Sequence, residues 1–395
     1  EHMRQFGLHM RDTAARTVDM LPPANPPLTW LAPRMMTRPS ERDERHATLQ
    51  ARFASRVAAT PDRIALVEGS RRWSFAEVDA LVGYLAGSLA MLSPEPEGCV
   101  VLCARRSWRS VIAWLAVHRI GGAVLPLSPD SPQARVASVV ELCRPFVVLH
   151  DADAADPLGE AEPGLPRLSL EAAMRSRDAS PAPTCTDRGD SLAYFAMTSG
   201  SSGIPKAVMG THGGMLNRLR WTASRFPFEQ GDVACHLVSP AFVVVICEMF
   251  VPLCAGVPLW IAPGSGGVPF ETLRATLEAS AATRVTLVPA ALERLIGEWE
   301  ADPLAMPRLR EVFVSGERLP GDLAARFQTM RSSPRRQLCN IYGSSEVSAD
   351  VTYAVFETGE EAIPQPGASA GRPLDSCKVA VLDENLVPCR AYIPG

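Results

Sequence analysis

Short apolar runs alternate with longer stretches of mixed polarity through the second half of the chain. From residue 191 onward each apolar run predicts a buried strand, and each stretch with apolar residues three or four positions apart predicts a helix. This alternation predicts an α/β fold with layered, mainly parallel sheets and right-handed crossover connections. The predicted strands are 192–197, 232–238, 257–262, 284–288, 310–314 and 336–341, and the predicted helices are 211–224, 244–254, 269–280, 290–298 and 320–330.

The first half of the chain has a weaker pattern. Residues 110–118 carry apolar side chains at helical spacing, and the apolar run that follows at 123–127 predicts a strand. Residues 1–45 are rich in Pro, Met and Arg, and residues 151–190 are dense in Ala, Asp and Pro. We expect the first of these segments to be an extended lead-in and the second an exposed connection.

Length and composition limit the classes of protein that fit. A chain of 395 residues exceeds one ordinary hydrophobic core, so we expect two α/β subdomains, over 46–190 and 191–395, after the lead-in. The 39 basic and 43 acidic residues give a formal net charge of −4, which argues against a nucleic-acid partner. No apolar run reaches membrane-spanning length, so no membrane partner is expected. The ten cysteines include no C-x-x-C pair, which favours reduced core residues in a cytoplasmic protein.

A segment rich in glycine and hydroxyl groups follows the predicted strand 192–197. Its sequence, T-S-G-S-S-G-I-P-K, occupies residues 198–206 and ends in Lys206. Glycines let backbone N–H groups approach a phosphate closely, hydroxyls add donors, and the lysine adds a positive charge. The spacing differs from that of the common G-x-x-x-x-G-K-[ST] loop, and Pro205 argues against a helix beginning at Lys206. The segment suits a triphosphate, and a polar surface loop is the alternative.

This segment resembles the phosphate-binding loop of the adenylate-forming family, which includes acyl-CoA synthetases, luciferases and the adenylation domains of nonribosomal peptide synthetases. The resemblance covers roughly residues 47–395, and adenylation domains of peptide or depsipeptide synthetases fit best, because T-P-D-R-I-A-L-V at 60–67 is typical of their opening. Other motifs follow in the family's order: W-S-F-A-E-V at 73–78, G-G-A-V-L-P-L at 121–127, V-S-G-E at 314–317, N-I-Y-G-S-S-E at 340–346 and G-R-P-L at 371–374.

The resemblance implies the large N-terminal part of an adenylation domain, in which 191–395 carries the ATP and acyl sites and runs into an incomplete β region. In the family a small C-terminal domain follows, with a mobile lysine, and an aspartate beyond the matched part binds the ribose. Losing such contacts lowers the rate more than it lowers binding, so we expect residues 1–395 alone to turn over poorly.

The implied reaction joins a carboxylate to the α-phosphate of ATP and releases pyrophosphate, so two anions must be held together while charge builds up on phosphorus. By resemblance, the catalytic residues are Lys206, His212, Ser345 and Glu346. Glu346 would also hold Mg²⁺, mainly with phosphate oxygens, and Tyr342 would lie against adenine. The implied ATP-binding residues are Thr198, Ser199, Gly200, Ser201, Ser202, Gly203, Lys206, Gly316, Glu317, Asn340, Tyr342, Gly343 and Ser345.

The substrate segment departs from the family's pattern. Enzymes of the family that use α-amino acids carry F-D-x-S-V-x-E, and their aspartate pairs with the substrate ammonium. Here F-V-V-V-I-C-E occupies 242–248, with Val243 at the aspartate position. An ammonium buried against valine would be unpaired at a cost of several kcal/mol, so the acid is expected to lack an α-amino group.

The remaining pocket positions implied by the resemblance favour a short or branched aliphatic acid, because most are apolar. An α-keto acid is the first choice, followed by an α-hydroxy or simple acyl acid. Asp350 is the exception, because it could bind a displaced amino group of a β-amino or basic substrate. The implied substrate-binding residues are Phe242, Val243, Val244, Cys247, Thr286, Phe313, Ser315, Ile341, Ala349 and Asp350.

The partners implied by the resemblance are a small carboxylic acid and a downstream carrier protein with a phosphopantetheine arm. A keto acid also implies a ketoreductase domain in the same synthetase. The alternatives are an acyl- or aryl-CoA ligase, a β-amino-acid adenylation enzyme, and a non-catalytic adenylation-like scaffold. The presence of Lys206, Tyr342 and Glu346 argues against the scaffold.

Overall fold

The computed structural model describes residues 48–92, 94–152, 162–175, 188–198, 206–264, 267–331, 335–360 and 367–382. By its internal contacts the chain divides into two units, residues 37–377 and residues 1–36 with 378–395. The second unit is described only at 378–382, and every helix and strand below belongs to the first. The lead-in expected over 1–45 lies outside the described residues.

Fifteen strands and ten helices follow each other along the described part of the chain. The strands are β1 (Ile64–Glu68), β2 (Arg71–Ser74), β3 (Cys99–Cys103), β4 (Ala123–Leu127), β5 (Val147–His150), β6 (Arg167–Ser169), β7 (Leu192–Thr198), β8 (Lys206–Thr211), β9 (Ala234–His236), β10 (Leu259–Ile261), β11 (Arg284–Leu287), β12 (Glu311–Val314), β13 (Gln337–Tyr342), β14 (Thr352–Glu357) and β15 (Arg372–Pro373). The helices are α1 (Leu49–Ala59), α2 (Phe75–Ala90), α3 (Trp108–Arg119), α4 (Gln133–Cys143), α5 (Leu170–Arg175), α6 (His212–Arg225), α7 (Val244–Ala255), α8 (Phe270–Ser280), α9 (Pro289–Ala301) and α10 (Gly321–Thr329).

The strands form two sheets that are mainly parallel, as expected. The larger has the order β15-β14-β13-β12-β11-β9-β10-β1-β2, and the smaller has the order β6-β5-β3-β4-β7-β8. Neighbours are parallel in the interior of each sheet, and antiparallel pairs occur only toward the edges, at β1–β2, β13–β14–β15 and β7–β8. Parallel strands buried on both faces need continuous apolar sequence, which is why the runs from residue 191 onward were readable as strands.

Two expectations about organisation differ from the structure. The connection expected over 151–190 contains β6 and α5 within its described part. The boundary expected at residue 190 is crossed by both sheets, because Leu66 of β1 pairs with Leu259 of β10 and Val124 of β4 pairs with Tyr194 of β7. Parallel partners are chosen by burial and register rather than by proximity in the chain, so chain position could not predict this exchange.

The W-S-F-A-E-V motif contains the N-terminal cap of α2. The Ser74 hydroxyl accepts from the backbone N–H of Glu77 at 3.2 Å, and the Glu77 carboxylate accepts from the N–H of Ser74 at 2.7 Å. This reciprocal cap satisfies two otherwise free donors at the start of α2 and is typically worth about 1 kcal/mol.

Both sheets share one hydrophobic core. A single cluster of buried apolar side chains includes Leu66 from the larger sheet and Val100 from the smaller one, with side chains of α2, α3 and α7. Among the described helices, none combines the length and the apolar character required to cross a bilayer.

Candidate active site

A cavity of about 460 Å³ lies where the parallel strands β9, β11, β12 and β13 of the larger sheet end. Each of these strands contributes the residues at or just after its carboxyl end: Leu237, Val238, Ser239, Thr286, Leu287, Val288, Ser315, Gly316, Glu317, Gly343, Ser344 and Ser345. Ligand sites of open α/β sheets form at this edge. Residues of the motifs at 314–317 and 340–346 line this cavity together with Phe242, Val243 and Val244 of the predicted substrate segment.

The β7–β8 hairpin brings the two ends of the predicted phosphate loop together. Thr198 ends β7 and pairs with Lys206, the first residue of β8. Lys206 therefore starts a strand rather than a helix, as Pro205 indicated, and it is exposed. Ala196 and Met197, at the end of β7, line the cavity. The intervening residues that are predicted to bind ATP lie outside the described residues: Ser199, Gly200, Ser201, Ser202 and Gly203.

Two glycines shape the backbone on the side where adenine is expected. Gly316 follows β12 with a φ of +92°, in the left-handed region that favours glycine. A Cβ on Gly343 would lie 1.9 Å from the carbonyl oxygen of Ala349, so no larger residue fits between these two backbone segments. Tyr342 ends β13 directly before Gly343, and half of its surface is exposed.

The turn after β13 connects the nucleotide side of the cavity to the acyl side. Ser345–Val347 form one 3-10 turn, in which Ser345 lines the cavity and Glu346 is exposed. Ser348 and Ala349 follow with φ values of +59° and +78°. Left-handed backbone costs a non-glycine residue on the order of 1–3 kcal/mol, so the packing around this turn must hold it. Ala349 then lines the acyl side.

Asn340 does not line the cavity. Its side chain is buried in β13, and its amide donates to the carbonyl of Ser369 at 2.9 Å. This hydrogen bond fixes the backbone that precedes β15, and the ATP contact expected for Asn340 stays a prediction.

His212 is fully buried at the start of α6. Its Nδ1 accepts from the backbone N–H of Leu49 at 3.3 Å, and its ring packs edge-on against His118 with centroids 4.8 Å apart. Burial, and then the nearby His118, lower the pKa of His212 to about 2. The buried ring thus packs against His118 in this structure, and the catalytic role that the resemblance implies for His212 stays a prediction.

The acyl side of the cavity is apolar around the position that distinguishes amino acids from other acids. Phe242, Val243 and Val244 line it at the start of α7, and Thr286 and Ser315 line it at the ends of β11 and β12. Within the described lining, Glu317 is the one residue that carries a charge. It lies on the side where adenine is expected.

Asp350 already has two side-chain partners. Its side chain is completely buried; Arg218 Nε donates to Oδ2 at 2.8 Å and the Ser315 hydroxyl donates to Oδ1 at 3.3 Å. The substrate contact expected for Asp350 stays a prediction, and the pairing with Arg218 argues against a second cation at this carboxylate. Since a carboxylate only accepts hydrogen bonds, the Ser315 proton points to Asp350 and its oxygen lone pairs are left for the cavity.

Three expected substrate residues lie deeper. Cys247 and Phe313 line a second cavity of about 30 Å³, which has Thr286 in its wall, as the larger cavity does. Ile341 lines neither cavity and packs in a buried cluster with Phe313 and Tyr353.

Several lining residues were missed by motif comparison. Val238, Ser239, Val288, Val268 and Phe270 all line the cavity. The first three follow β9 and β11, so the rule that sites lie beyond carboxyl ends of strands could have found them. Val268 precedes α8 and Phe270 begins it, and there the pattern gives no indication of a site.

The residues present fit a magnesium ion held mainly by nucleotide phosphates. Mg²⁺ prefers oxygen ligands and commonly takes one or two carboxylates with substrate phosphates. Glu346 supplies one exposed carboxylate beside the cavity. Within the described ranges no cluster of three or more His, Cys, Asp or Glu residues could hold a metal without such help.

Comparison with known proteins gives the class of this site. Residues 53–395 match the family described as AMP-binding enzyme. The chain is 33% identical over 358 residues, 87% of its length, to chondramide synthase cmdD of Chondromyces crocatus. It is 31% identical over 356 residues, 88% of its length, to phosphinothricin tripeptide synthetase PhsB of Streptomyces viridochromogenes. The chain belongs to the AMP-binding enzyme family and is of the nonribosomal peptide synthetase adenylation type.

Solved structures agree with this assignment. The AMPPNP-bound crystal structure of the nonribosomal peptide synthetase FmoA3 matches 87% of this chain with a TM-score of 0.79 and 25% identity. The chain spans 9% of cmdD, 29% of PhsB and 36% of the FmoA3 chain. These relatives are therefore much longer than the part that they share with it.

Proposed function

We propose that this chain activates a carboxylic acid with ATP, forming an acyl-adenylate and releasing pyrophosphate. The observation that carries the proposal is one cavity lined both by Gly316 and Gly343, from the motifs expected at the nucleotide, and by Val243, from the segment expected at the acid. An acyl-adenylate needs such a site, because its acyl and nucleotide parts are joined through a single phosphate. A volume of about 460 Å³ is in the range of small-molecule sites.

The proposed reaction is a displacement at the α-phosphorus. A carboxylate oxygen bonds to that phosphorus, the bond to the bridging oxygen breaks, and pyrophosphate leaves with the electron pair. Lys206 would stabilise the leaving pyrophosphate, and Ser345 would bind the α-phosphate. Glu346 would hold Mg²⁺, which when bound offsets the negative charge of the phosphates. Thr198, Ser199, Gly200, Ser201, Ser202 and Gly203 would donate to the phosphates.

The proposed substrate is an acid without an α-ammonium group. Val243 directly precedes α7 and lines the cavity. Apart from Glu317, the described lining carries no acidic side chain. Asp350, the one acid that favoured an amino substrate, is occupied by Arg218. An aliphatic α-keto acid remains the first choice, followed by an α-hydroxy acid.

The proposed acceptor is the phosphopantetheine thiol of a carrier protein, because the relatives that match this chain are peptide synthetases. For a keto acid, a ketoreductase domain in the same synthetase is also proposed. Loading of a carrier protein, measured against acyl-CoA formation by mass spectrometry, separates this proposal from the acyl-CoA ligase alternative.

The substrate proposal is tested by pyrophosphate exchange with the protein in its natural length, using leucine and 2-oxo-4-methylpentanoate. The keto acid is expected to exchange at least about tenfold faster, since each 1.4 kcal/mol of unpaired charge costs a factor of ten. Val243→Asp is expected to narrow or reverse the ratio, and Val243→Ile, which keeps the site uncharged, serves as the matched control. Faster exchange with leucine by the native protein would overturn the proposal.

A further inference from the structure

The smaller cavity shares one wall residue with the proposed acyl site. Thr286 lies in the walls of both cavities, and Cys247 and Phe313, two residues expected to contact substrate, line only the smaller one. Its volume of about 30 Å³ is close to the share of one water molecule in the liquid. An acyl chain that passes Thr286 would end in this space.

Two buried polar atoms on its lining residues have no hydrogen-bond partner among the described residues. Arg284 donates through Nε to Glu311 at 2.5 Å and through one terminal nitrogen to the Phe226 carbonyl at 2.6 Å, but Nη1 is unpaired. Glu248 accepts through Oε2 from His236 and from the backbone N–H of Val238, but Oε1 is unpaired. The side chains of Arg284 and Glu248 are only 7% and 3% exposed.

An unpaired buried donor or acceptor is destabilising, so such atoms normally meet water or a ligand. A guanidinium only donates and a carboxylate only accepts. A single group that met both atoms would therefore accept one hydrogen bond and donate another.

The formal charges around the smaller cavity already have partners. Arg218 pairs with Asp350 at 2.8 Å, and Arg284 pairs with Glu311 at 2.5 Å. The Glu248 carboxylate faces His236 at 2.5 Å, and its charge also acts on Arg106. A charged substrate group would enter this balanced set unpaired, so the fitting group is neutral.

We propose that the smaller cavity is a polar subsite for a hydroxyl group at the end of the acid's side chain. A hydroxyl is neutral, both donates and accepts, and has the size of the single water that the space holds. In the absence of substrate, water would occupy the same position. The inference rests on the proposed adenylation function and narrows its substrate class to acids with a terminal hydroxyl.

The experiment uses non-hydrolysable acyl-sulfamoyl adenosines, so it needs binding and no turnover. Acyl groups of 4-hydroxybutanoate, 5-hydroxypentanoate and 6-hydroxyhexanoate are each compared with the acid that has a methyl group in place of the hydroxyl. Calorimetry is expected to give at least about tenfold tighter binding of the hydroxyl compound at one chain length, because the methyl compound leaves Arg284 and Glu248 unpaired.

Cys247→Val adds volume inside the subsite and is expected to bring that affinity ratio to about one. Cys339→Val makes the same change at a buried cysteine that lines neither cavity, and is expected to keep the ratio. Methyl compounds that bind as tightly as the hydroxyl compounds at every length would overturn the subsite alone. No binding by any analogue would overturn the adenylation function itself.

Discussion

Single side chains decide the chemistry of the acyl side. Val243 lines the cavity without the negative charge that would pair with an α-ammonium group. Asp350, the other candidate partner for an ammonium, is paired with Arg218 at 2.8 Å. The Ser315 hydroxyl is fixed as a donor to Asp350, so it offers the cavity an acceptor. The proposed preference for an acid without an amino group therefore rests on two independent observations, only one of which is visible in the sequence.

The close backbone contact at Gly343 predicts that a larger residue there lowers both stability and nucleotide affinity. Gly343→Ala places a Cβ 1.9 Å from the carbonyl oxygen of Ala349, which belongs to backbone and cannot rotate away. We expect the variant to lose at least about 2 kcal/mol of unfolding free energy, since overpacking costs about 1–3 kcal/mol or more, and to bind AMPPNP more weakly. Urea unfolding and calorimetry measure the two effects.

Gly297→Ala is the matched control for Gly343→Ala. Gly297 lies on the exposed side of α9 with nothing within 4 Å of an added Cβ. Alanine there is expected to be neutral or to stabilise by up to about 1 kcal/mol. If both variants keep native stability and nucleotide affinity, the close approach at Gly343 is not needed for the site.

Helices α3 and α6 meet through a pair of buried histidines. His118 on α3 donates through Nε2 to the Ala193 carbonyl at 2.9 Å and packs against His212 of α6 and Phe250 of α7. Burial lowers the pKa of His118 to about 4 from its ordinary 6.5, although its hydrogen bond to Ala193 acts in the opposite direction. Both rings are therefore part of the core at neutral pH.

This pair predicts a pH dependence of stability. Because the folded pKa values are lowered, the unfolded chain binds protons that the folded chain does not, and stability present above pH 6.5 is lost as pH falls toward 4. His118→Phe is expected to reduce the drop in unfolding free energy between pH 7 and pH 4.5 by about 2 kcal/mol. His150→Phe, at a half-exposed position, is the control, and an equal drop in all three proteins would contradict the assignment.

The molecule as a whole is built from sheets that exchange strands between distant parts of the chain. The larger sheet, which carries the site, takes β1 and β2 from residues 64–74, and the smaller takes β7 and β8 from residues 192–211. A cavity at the end of the larger sheet therefore depends on segments on both sides of residue 190.

A fragment of residues 191–395 is predicted not to fold independently. It would leave the β10 edge unpaired where Leu66 normally meets Leu259, and it would lose the apolar side chains of α2 and α3 from the shared core. Circular dichroism and urea unfolding are expected to show no cooperative transition, while residues 48–382 keep one. A cooperatively unfolding 191–395 fragment that binds AMPPNP would contradict this dependence.

The sequence predicted most of the elements from residue 191 onward and the strand at 123–127, because buried parallel strands have continuous apolar runs. It could not predict the partners of buried polar side chains. Arg218 and Asp350 are 132 positions apart, and His212 meets Leu49 across 163. Pairings at such separations depend on packing, so a motif residue can match its family and still face the interior, as His212 and Asn340 do.

The turn after β13 has a consequence for how specificity can be changed. Glu346, proposed for the metal, and Ala349, on the acyl side, are separated by two residues in a strained turn that rests on Gly343. Grafting a foreign acyl pocket through this turn would alter nucleotide binding at the same time. The start of α7, with Val243 and Val244, carries acyl-lining residues on a different element. Directed evolution toward new acids should therefore concentrate its libraries there.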